Sequence, residues 1–266
     1  MIPLDPVTQL EAIAILSAIA LAASRYRFLD RSGVAASIPI GYLIIVLGGL
    51  RYFALLLAFF LIASIVTKIR TRALGRSPPD KDHVRSWRNV VANGLIPTLV
   101  IVFSRAGGVG GEIVAAGYLG SIGTAFADTL ATEVGMAFGR SPRLILGLRR
   151  VEKGTPGAIT PHGYLGGALA LLTLCALAWA LKLAGPATAV ITIIAGISGT
   201  TIDSLLGAGV QAKYLCRRCG RIVEDRSHCG LEAEKIAGVS WIDTHAVNLI
   251  STAVGAAMAA ALAGGL

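Results

Sequence analysis

Two aspartates lie within long apolar stretches of the sequence, where a charged side chain is unfavourable. Asp128 is in the sequence Gly-Thr-Ala-Phe-Ala-Asp-Thr-Leu, and Asp203 is in Gly-Thr-Thr-Ile-Asp-Ser-Leu. A carboxylate inside a membrane span indicates a functional site by default. Magnesium in proteins is commonly bound by one or two carboxylates together with substrate phosphates. The pair therefore predicts a Mg²⁺ site, with Asp128 and Asp203 as metal ligands and catalytic residues.

Helical spacing places small and hydroxyl residues on the same face as each aspartate. Thr124 precedes Asp128 by one turn, and Gly199 precedes Asp203 by one turn. A face of this kind can also be a helix–helix contact in which a structural aspartate forms a hydrogen bond to the neighbouring helix. The presence of two such aspartates favours a functional site. Glu133 lies about 140° around the helix from Asp128. It is a third candidate catalytic residue if the site lies where helices cross.

A basic, glycine-containing segment follows the first aspartate, from Arg149 to Gly157. Cations and exposed backbone N–H groups are what phosphate groups bind in proteins. Such a turn has low specificity alone, but its position after Asp128 predicts a phosphate pocket. The predicted nucleotide- and phosphate-binding residues are Arg88, Asn93, Thr124, Thr129, Arg149, Arg150, Lys153, Gly154, Thr155, Gly157, Ser204 and Asn248.

Three cysteines and a histidine cluster in the segment 211–242. Cys216 and Cys219 form a Cys-x-x-Cys-Gly sequence, which is followed further along by His228 and Cys229. Three thiolates and one imidazole can complete a tetrahedral Zn²⁺ site. A Cys216–Cys219 disulfide is the alternative, which a reducing cytoplasm disfavours. The segment is predicted to be a cytoplasmic loop subdomain with a structural zinc knuckle.

The elements that must position these side chains are membrane helices. Of the 266 residues, 55% are hydrophobic and 15% are charged, whereas a soluble domain carries about 25% charged residues. This composition excludes a soluble enzyme, a secreted disulfide-rich protein and a disordered chain. Apolar segments near the length of a spanning helix lie at about 8–24, 33–50, 52–67, 89–104, 109–137, 163–182, 184–210 and 244–264. The predicted fold is all-α, a polytopic bundle of about eight transmembrane helices in which residues 1–266 form a single membrane domain.

The basic residues are distributed unequally between the two sides of this bundle. The net charge is +9, and 21 lysines and arginines fall in the first, third, fifth and seventh gaps, against three elsewhere. By the positive-inside rule, both termini face outside the cell membrane and the predicted site faces the cytoplasm. The segment 8–24 is predicted to be a retained helix, because the positive charges follow it. The basic loops are expected to contact anionic membrane lipids, and no nucleic-acid partner is predicted.

Several of these segments occur together in one known family. They are Ser86-Trp-Arg-Asn-Val-Val-Ala-Asn-Gly94, Asp128-Thr-Leu-Ala-Thr-Glu-Val-Gly, Arg149-Arg-Val-Glu-Lys-Gly-Thr-Pro-Gly, Ile202-Asp-Ser-Leu-Leu-Gly-Ala, Cys216-x-x-Cys-Gly and Trp241-Ile-Asp-x-x-x-Val-Asn. In this order they resemble the integral-membrane family, long labelled a domain of unknown function, that includes the plant and cyanobacterial phytyl-phosphate kinases. A looser similarity links Asp128-x-x-Ala-x-x-x-Gly-x-x-x-Gly to the dolichol and phytol kinases and the CDP-diacylglycerol synthases.

The resemblance implies a membrane-embedded isoprenyl-phosphate kinase. Such an enzyme transfers a phosphoryl group from a nucleoside triphosphate, with CTP favoured, to a phytyl- or geranylgeranyl-like monophosphate and forms the diphosphate. In this interpretation Asp128, Asp203 and Glu133 hold Mg²⁺, and the basic turn neutralises the phosphates. Two alternatives stay open: a CTP-dependent cytidylyltransferase that makes a CDP-activated lipid, and a non-enzymatic lipid or ion carrier.

Overall fold

The computed structural model describes residues 5–73, 84–108 and 110–265. Within these residues, eight helices are long and apolar enough to cross a membrane. They are α1 (Pro6–Arg25), α2 (Arg31–Leu43) together with the π-helical turn that follows it, α3 (Leu50–Ala73), α4 (Trp87–Gly107), α5 (Gly111–Phe138), α6 (Pro161–Ala180), α7 (Pro186–Gly209) and α8 (Thr244–Gly264). The predicted helical membrane bundle is confirmed. Arg76 and Lys81, two basic residues of the third predicted gap, lie outside the described residues.

The break between the second and third apolar segments is very short. A π-helical turn, Ile44–Gly48, extends α2 directly, and α3 begins two residues after that turn. Gly49 makes the break with a φ of +96°, a conformation that residues with a Cβ atom adopt rarely. Leu47 beside it accepts a hydrogen bond from Arg105 Nε at 2.8 Å, which attaches the end of α4 to this turn.

Helix α5 is the centre of the bundle. In its most apolar stretch 72% of the residues are buried inside the protein, compared with 17% for α1. Glycines allow its neighbours to approach closely, because a Cβ atom at Gly199 of α7 or Gly255 of α8 would overlap Thr124 of α5. Thr124 is fully buried there, and its hydroxyl donates to the Gly120 carbonyl at 2.9 Å. The helices that carry Asp128 and Asp203 are therefore held in direct contact.

A second glycine-rich crossing joins α5 to α6. A Cβ atom at Gly163 would lie 3.0 Å from the Ala131 carbonyl oxygen, and one at Gly166 would lie 2.8 Å from the Leu130 carbonyl oxygen. The Thr160 hydroxyl caps α6 by accepting from the Gly163 N–H at 3.0 Å. The glycines of α6 thus allow its backbone to approach the backbone of α5 closely at this level.

Aromatic side chains pack α3 against α5, and aliphatic residues of α1 and α2 belong to the same hydrophobic core. Phe59 and Phe126 lie 5.5 Å apart between ring centroids, and Tyr52 and Tyr118 meet edge to face at 4.8 Å. The Tyr118 hydroxyl donates to the Tyr52 carbonyl at 2.8 Å. This larger core holds the amino-terminal helices on the carboxylate-bearing helices.

Short strands in two loops add structure that the hydropathy pattern did not predict. The loop between α5 and α6 contains the pair β1 (Arg143–Leu144) and β2 (Ala158–Ile159). The segment 211–242, predicted as a loop subdomain, contains five strands. They are β3 (Lys213–Leu215), β4 (Ile222–Val223), β5 (Ser227–His228), β6 (Leu231–Glu232) and β7 (Glu234–Ala237). The first, second and fifth of these form an antiparallel sheet in the order β4-β3-β7, and β5 pairs with β6.

Candidate functional site

A cavity of about 480 Å³, here called the polar cavity, opens at one end of the bundle. Its walls come from the ends of α3, α5 and α7, the starts of α4, α6 and α8, and the two strand-containing loops. The site residues predicted from the sequence that line it are Asn93, Asp128, Thr129, Glu133, Lys153, Gly154, Thr155, Gly157, Ser204, Asp203 and Asn248. Residues from distant parts of the sequence thus meet in one space.

Three carboxylates face this cavity from three different elements. Asp128 on α5 interacts electrostatically with Asp203 on α7, and both interact with Glu224, which directly follows β4. All three side chains are half-buried. Like charges brought together out of bulk water repel one another, so the cluster favours a bound cation. Oxygen ligands of this kind match the preference of Mg²⁺.

Asp203 is held in place by helix α8. The Ser251 hydroxyl donates to Asp203 Oδ2 at 2.9 Å. With its amide nitrogen turned towards the neighbouring acceptors, Asn248 also donates to Asp203 Oδ2 at 3.3 Å and to the Thr244 carbonyl at 3.0 Å. These donors fix one carboxylate oxygen of Asp203.

Glu133 reaches the wall of the same cavity, but its carboxylate is paired with a cation and a hydroxyl group of α3. Its carboxylate accepts from the Thr67 hydroxyl at 2.8 Å and forms an ion pair with Arg70. Both partners lie on α3, so the contact joins α3 to α5. Glu133 is 7% exposed. In this geometry the Glu133 carboxylate holds α3 against α5, whereas Asp128 faces other acids.

The turn 153–157 packs against the helix that carries Asp203. Gly154 and Gly157 have φ values of +85° and +76°, and a Cβ atom at Gly157 would overlap the backbone of Ala208 on α7. Lys153 donates to the Met136 carbonyl at 3.2 Å. Substitution of Gly157 would therefore both strain the backbone and push the turn away from α7. The turn supplies a cation and backbone groups beside the carboxylates.

Four residues predicted to bind phosphate lie outside the lining of the polar cavity. Thr124 is buried in the crossing of α5 with α7 and α8. Arg149 and Arg150 are exposed on the β1–β2 loop, where Arg150 is bridged to Arg143. Arg88 forms an ion pair with Asp243, which joins the starts of α4 and α8.

Several polar residues of the lining were not among the predicted site residues. Those with charged or amide side chains are Arg85, Asn89, Gln211 and Glu224. Gln211 is 3% exposed, and among the described residues its side-chain nitrogen has no hydrogen-bond partner. Helical spacing from Asp203 is the sequence signal that indicated Gln211, but no periodicity indicates Glu224, which lies in a loop. Arg85 is attached to the α1–α2 connection, since its N–H donates to the Phe28 carbonyl at 3.0 Å.

The cysteine-containing loop brings its four predicted zinc ligands together. The ligand atoms of Cys216, Cys219, His228 and Cys229 all lie within 4.8 Å of one another, and the cysteines are free thiols. His228 Nδ1 lies 3.5 Å from Cys219 Sγ and 3.3 Å from Cys229 Sγ. Zn–S bonds of about 2.3 Å and a Zn–N bond of about 2.0 Å in a tetrahedron place nitrogen and sulfur roughly 3.5 Å apart, close to these two distances. The donor set and its geometry fit Zn²⁺.

The thiol of Cys216 is suited to metal binding. A hydrogen bond with His228 lowers its pKa to about 6, and the thiolate is the form that binds metals. The Cys216 N–H donates to the Arg221 carbonyl at 2.9 Å, and the Gly220 N–H donates to the Cys216 carbonyl at 2.8 Å, which closes the turn around Cys219.

The fold and the cavity define a multi-pass integral membrane protein with an acidic pocket at one end of a helical bundle. The chain belongs to the family described as Integral membrane protein DUF92, whose model matches residues 14–256. The resemblance found in the sequence is thereby confirmed.

Relatives of the chain occur in archaea and plants. An uncharacterized membrane protein of Methanocaldococcus jannaschii is 36% identical over 86% of the chain and 90% of that protein. Protein PGR of Arabidopsis thaliana is 32% identical over 90% of the chain and 91% of its own length. Protein VTE6, chloroplastic, of the same plant is 26% identical over 87% of the chain and 64% of its own length. No solved structure matches the chain.

Proposed function

We propose that the protein is a magnesium-dependent kinase that transfers a phosphoryl group from a nucleoside triphosphate, with CTP favoured, to an isoprenyl monophosphate. The observation that carries this proposal is the convergence of Asp128, Asp203 and Glu224 on one cavity beside the basic turn 153–157. The resemblance to the family of phytyl-phosphate kinases and the similarity to the chloroplastic relative VTE6 support the same activity.

In this reaction an oxygen of the acceptor monophosphate forms a bond to the γ-phosphorus of the nucleotide. The bond from that phosphorus to the bridging β–γ oxygen breaks, and the nucleoside diphosphate leaves with the bonding electrons. The acceptor oxygen is already anionic, so no strong base is required. Positioning and charge neutralisation dominate such transfers, and the residues of the cavity are of the types that supply both.

Asp128, Asp203 and Glu224 would hold the magnesium ion, which neutralises phosphate charge when bound. Lys153 and the N–H groups of Gly154 and Gly157 would bind phosphate oxygens. The amide nitrogen of Gln211 is buried and has no partner among the residues that the structure describes, and it would donate to a further acceptor of the nucleotide. Ser251 and Asn248 would keep Asp203 oriented.

The proposal includes an orientation in the cell membrane. The basic loops after α1, α3, α5 and α7 carry most of the positive charge, and by the positive-inside rule this supports a cytoplasmic position for them and for the polar cavity, with both termini outside. A cytoplasmic cavity has access to nucleotides. A site at one end of the bundle also differs from a carrier, whose site lies near the bilayer midplane with alternating access.

We further propose that the cysteine-containing loop binds one structural Zn²⁺ through Cys216, Cys219, His228 and Cys229. The sheet that this loop forms leads directly from the cluster to Glu224. Metal analysis of protein purified without added zinc tests the assignment. One zinc per chain is expected in the natural protein, and its retention by a Cys219→Ser, Cys229→Ser double variant would contradict the assignment.

The proposed reaction is tested with the purified protein in lipid nanodiscs. Each nucleoside triphosphate is supplied with Mg²⁺ and with phytyl, geranylgeranyl or longer monophosphates, and the phosphorus-containing products are identified. A lipid diphosphate with a nucleoside diphosphate is expected. A CDP-lipid with pyrophosphate would identify a cytidylyltransferase instead, and absence of any product with every donor and acceptor would contradict an enzyme of this class.

A further inference from the structure

A second cavity lies between the four amino-terminal helices and is almost entirely apolar. This apolar groove has a volume of about 100 Å³. Leu16, Ala20 and Ala23 of α1 form one wall, with Phe53 and Phe60 of α3 opposite. Residues of α2 and α4 complete it, so the groove belongs to the large core formed by the first half of the chain.

The apolar groove and the polar cavity share three residues. Arg85, Asn89 and Asn93 line both spaces. Away from these polar residues, only Ser37 interrupts the apolar lining. We call these three residues the junction. Their side chains are of types that bind phosphate, and they lie between the polar cavity and the apolar groove.

The groove runs from this junction into the bundle. Its wall on α1 extends from Ala23 to Leu16, a distance of about 10 Å at 1.5 Å per residue. Leu29 and Arg85 lie at the polar end, where their backbones are bridged. Part of the wall faces the surrounding bilayer, since Ile38 is 45% exposed. A chain anchored at the junction thus has a path along the bundle and out towards lipid.

We infer that this groove holds the part of the acceptor's isoprenyl chain next to its phosphate, and that Arg85, Asn89 and Asn93 bind the phosphate at the junction. This inference rests on the proposed function and adds the location of the lipid in the same site. Charge complementarity and the three lining residues that the two cavities share support a lipid monophosphate as the occupant. Because the groove is small, most of a long chain lies in the bilayer.

Arg85 is suited to the junction. Its guanidinium carbon lies 5.9 Å from the centroid of the Phe60 ring, so it contacts an aromatic wall of the groove while it faces the cavity. Burial lowers its pKa to about 10, and Glu133 acts in the opposite direction. The guanidinium thus stays charged at neutral pH. Its backbone is fixed as well, because the Asp30 N–H donates to the Arg85 carbonyl at 3.2 Å.

Photolabelling tests the location without requiring turnover. A diazirine analogue of geranylgeranyl monophosphate is incubated with the full chain in nanodiscs, without nucleotide, and labelled residues are mapped by mass spectrometry. Labels are expected on α1, α2 and α4 around the groove, and unlabelled geranylgeranyl monophosphate should suppress them. Suppressible labels confined to α6 and α7 would overturn the inference.

A matched pair of variants tests the groove itself. Ala20→Phe places a ring in the groove, whereas Ala18→Phe places the same ring on the exposed face of α1. The ratio of kcat/KM for geranylgeranyl over dimethylallyl monophosphate should fall by about tenfold in Ala20→Phe. It should stay unchanged in Ala18→Phe. An equal ratio in both variants overturns the inference.

Arg85 variants separate the phosphate contact from the chain contact. Arg85→Gln should lower kcat/KM by about 100-fold for both acceptors, because both carry the same phosphate, and Arg85→Lys should recover part of this loss. Loss for the long acceptor alone would contradict the phosphate contact. These results can be distinguished from a failure of the proposed function. In that case the natural chain would form no diphosphate, and this outcome does not depend on where the photolabel attaches.

Discussion

The acidic residues at the polar end of the bundle fall into two groups with opposite surroundings. Asp128, Asp203 and Glu224 interact with one another across the polar cavity. Glu133 and Asp243 instead form ion pairs with Arg70 and Arg88. Asp128 and Glu133 even belong to the same helix, little more than one turn apart.

The two groups of acids therefore have different roles: the cavity acids are suited to binding a cation, and the paired acids hold helices together. An acid paired with an arginine already has its counter-ion, and both such pairs join two helices. Asp128 faces Asp203 and Glu224 across the polar cavity, so a cation bound between these carboxylates reduces their mutual repulsion. Neutralisation should therefore have opposite effects on the two groups: it lowers activity but not stability for the cavity acids, and it lowers stability with little effect on activity for the paired acids.

The largest effect is expected for the two membrane aspartates. Asp128→Asn or Asp203→Asn should reduce phosphoryl transfer by at least about 1,000-fold, because the amide cannot replace a carboxylate that holds a cation beside the phosphates. The thermal midpoint of unfolding should stay the same or rise, since one of several facing negative charges is removed. Both quantities are measured on the same nanodisc preparation.

Glu112→Gln is the matched control for these variants. Glu112 lies in the first turn of α5, is exposed, and is at the opposite end of the helix from Asp128. Its substitution should change neither activity nor stability. Normal turnover in both aspartate variants would remove the distinction between the two acidic groups and with it the magnesium assignment.

A smaller loss is expected for Glu224. Glu224→Gln should lower kcat/KM by about 10- to 100-fold and weaken the binding of Mn²⁺, measured by electron paramagnetic resonance, because one carboxylate of three is lost. Glu232→Gln alters an exposed acid in the same loop and should leave both quantities unchanged. Equal behaviour of the two variants would assign Glu224 to the loop surface rather than to the cation site.

Glu133→Gln should have its main effect on stability. The substitution leaves the Arg70 guanidinium without its partner, so the free energy of unfolding should fall by about 2 kcal/mol, while kcat/KM changes by less than about threefold. The double variant Arg70→Gln, Glu133→Gln should recover part of the stability. Loss of activity without loss of stability would move Glu133 into the catalytic group.

The sequence predicts the helical part of this arrangement far better than the part contributed by loops. The eight spans and the two membrane aspartates follow from hydropathy and from the high energy of a charge in a bilayer. Glu224 reaches the cavity only because Tyr214 on β3 pairs with Val223 on β4, a register that strands of two or three residues do not encode in a recognisable pattern. Arg85 likewise depends on a single bridge to Leu29.

The difficulty of predicting loop structure also explains why Arg149 and Arg150 do not line the polar cavity, although the sequence predicted that they bind phosphate. Arg149 and Arg150 are basic residues next to a glycine turn, which is the pattern of a phosphate loop. Pairing of β1 with β2 leaves them exposed while the turn itself lies in the cavity. Charge in the sequence therefore indicated the correct loop, but only tertiary structure selects which of its residues face the site.

The smallest effect is expected for Arg88, where two interpretations differ. The sequence predicts a phosphate contact, whereas the structure pairs Arg88 with Asp243, the residue that caps α8 by accepting from the His245 and Ala246 N–H groups, each at 3.0 Å. The Arg88 side chain is 50% exposed, so Arg88→Gln should lower stability by less than about 1 kcal/mol and change kcat/KM by less than threefold.

The pH dependence of this small effect provides a direct test. Partial burial of Asp243 opposes ionisation, but the Ala246 N–H and the Arg88 charge together hold its pKa below the ordinary value of 3.8. A lowered pKa in the folded state means that the stabilisation is present above pH 3.8 and is lost as the pH falls through the lowered value. Unfolding curves of the natural chain and of Arg88→Gln should therefore converge below that pH. A loss of activity of 100-fold at neutral pH would instead place Arg88 against phosphate, and Asp243 would then belong to neither acidic group.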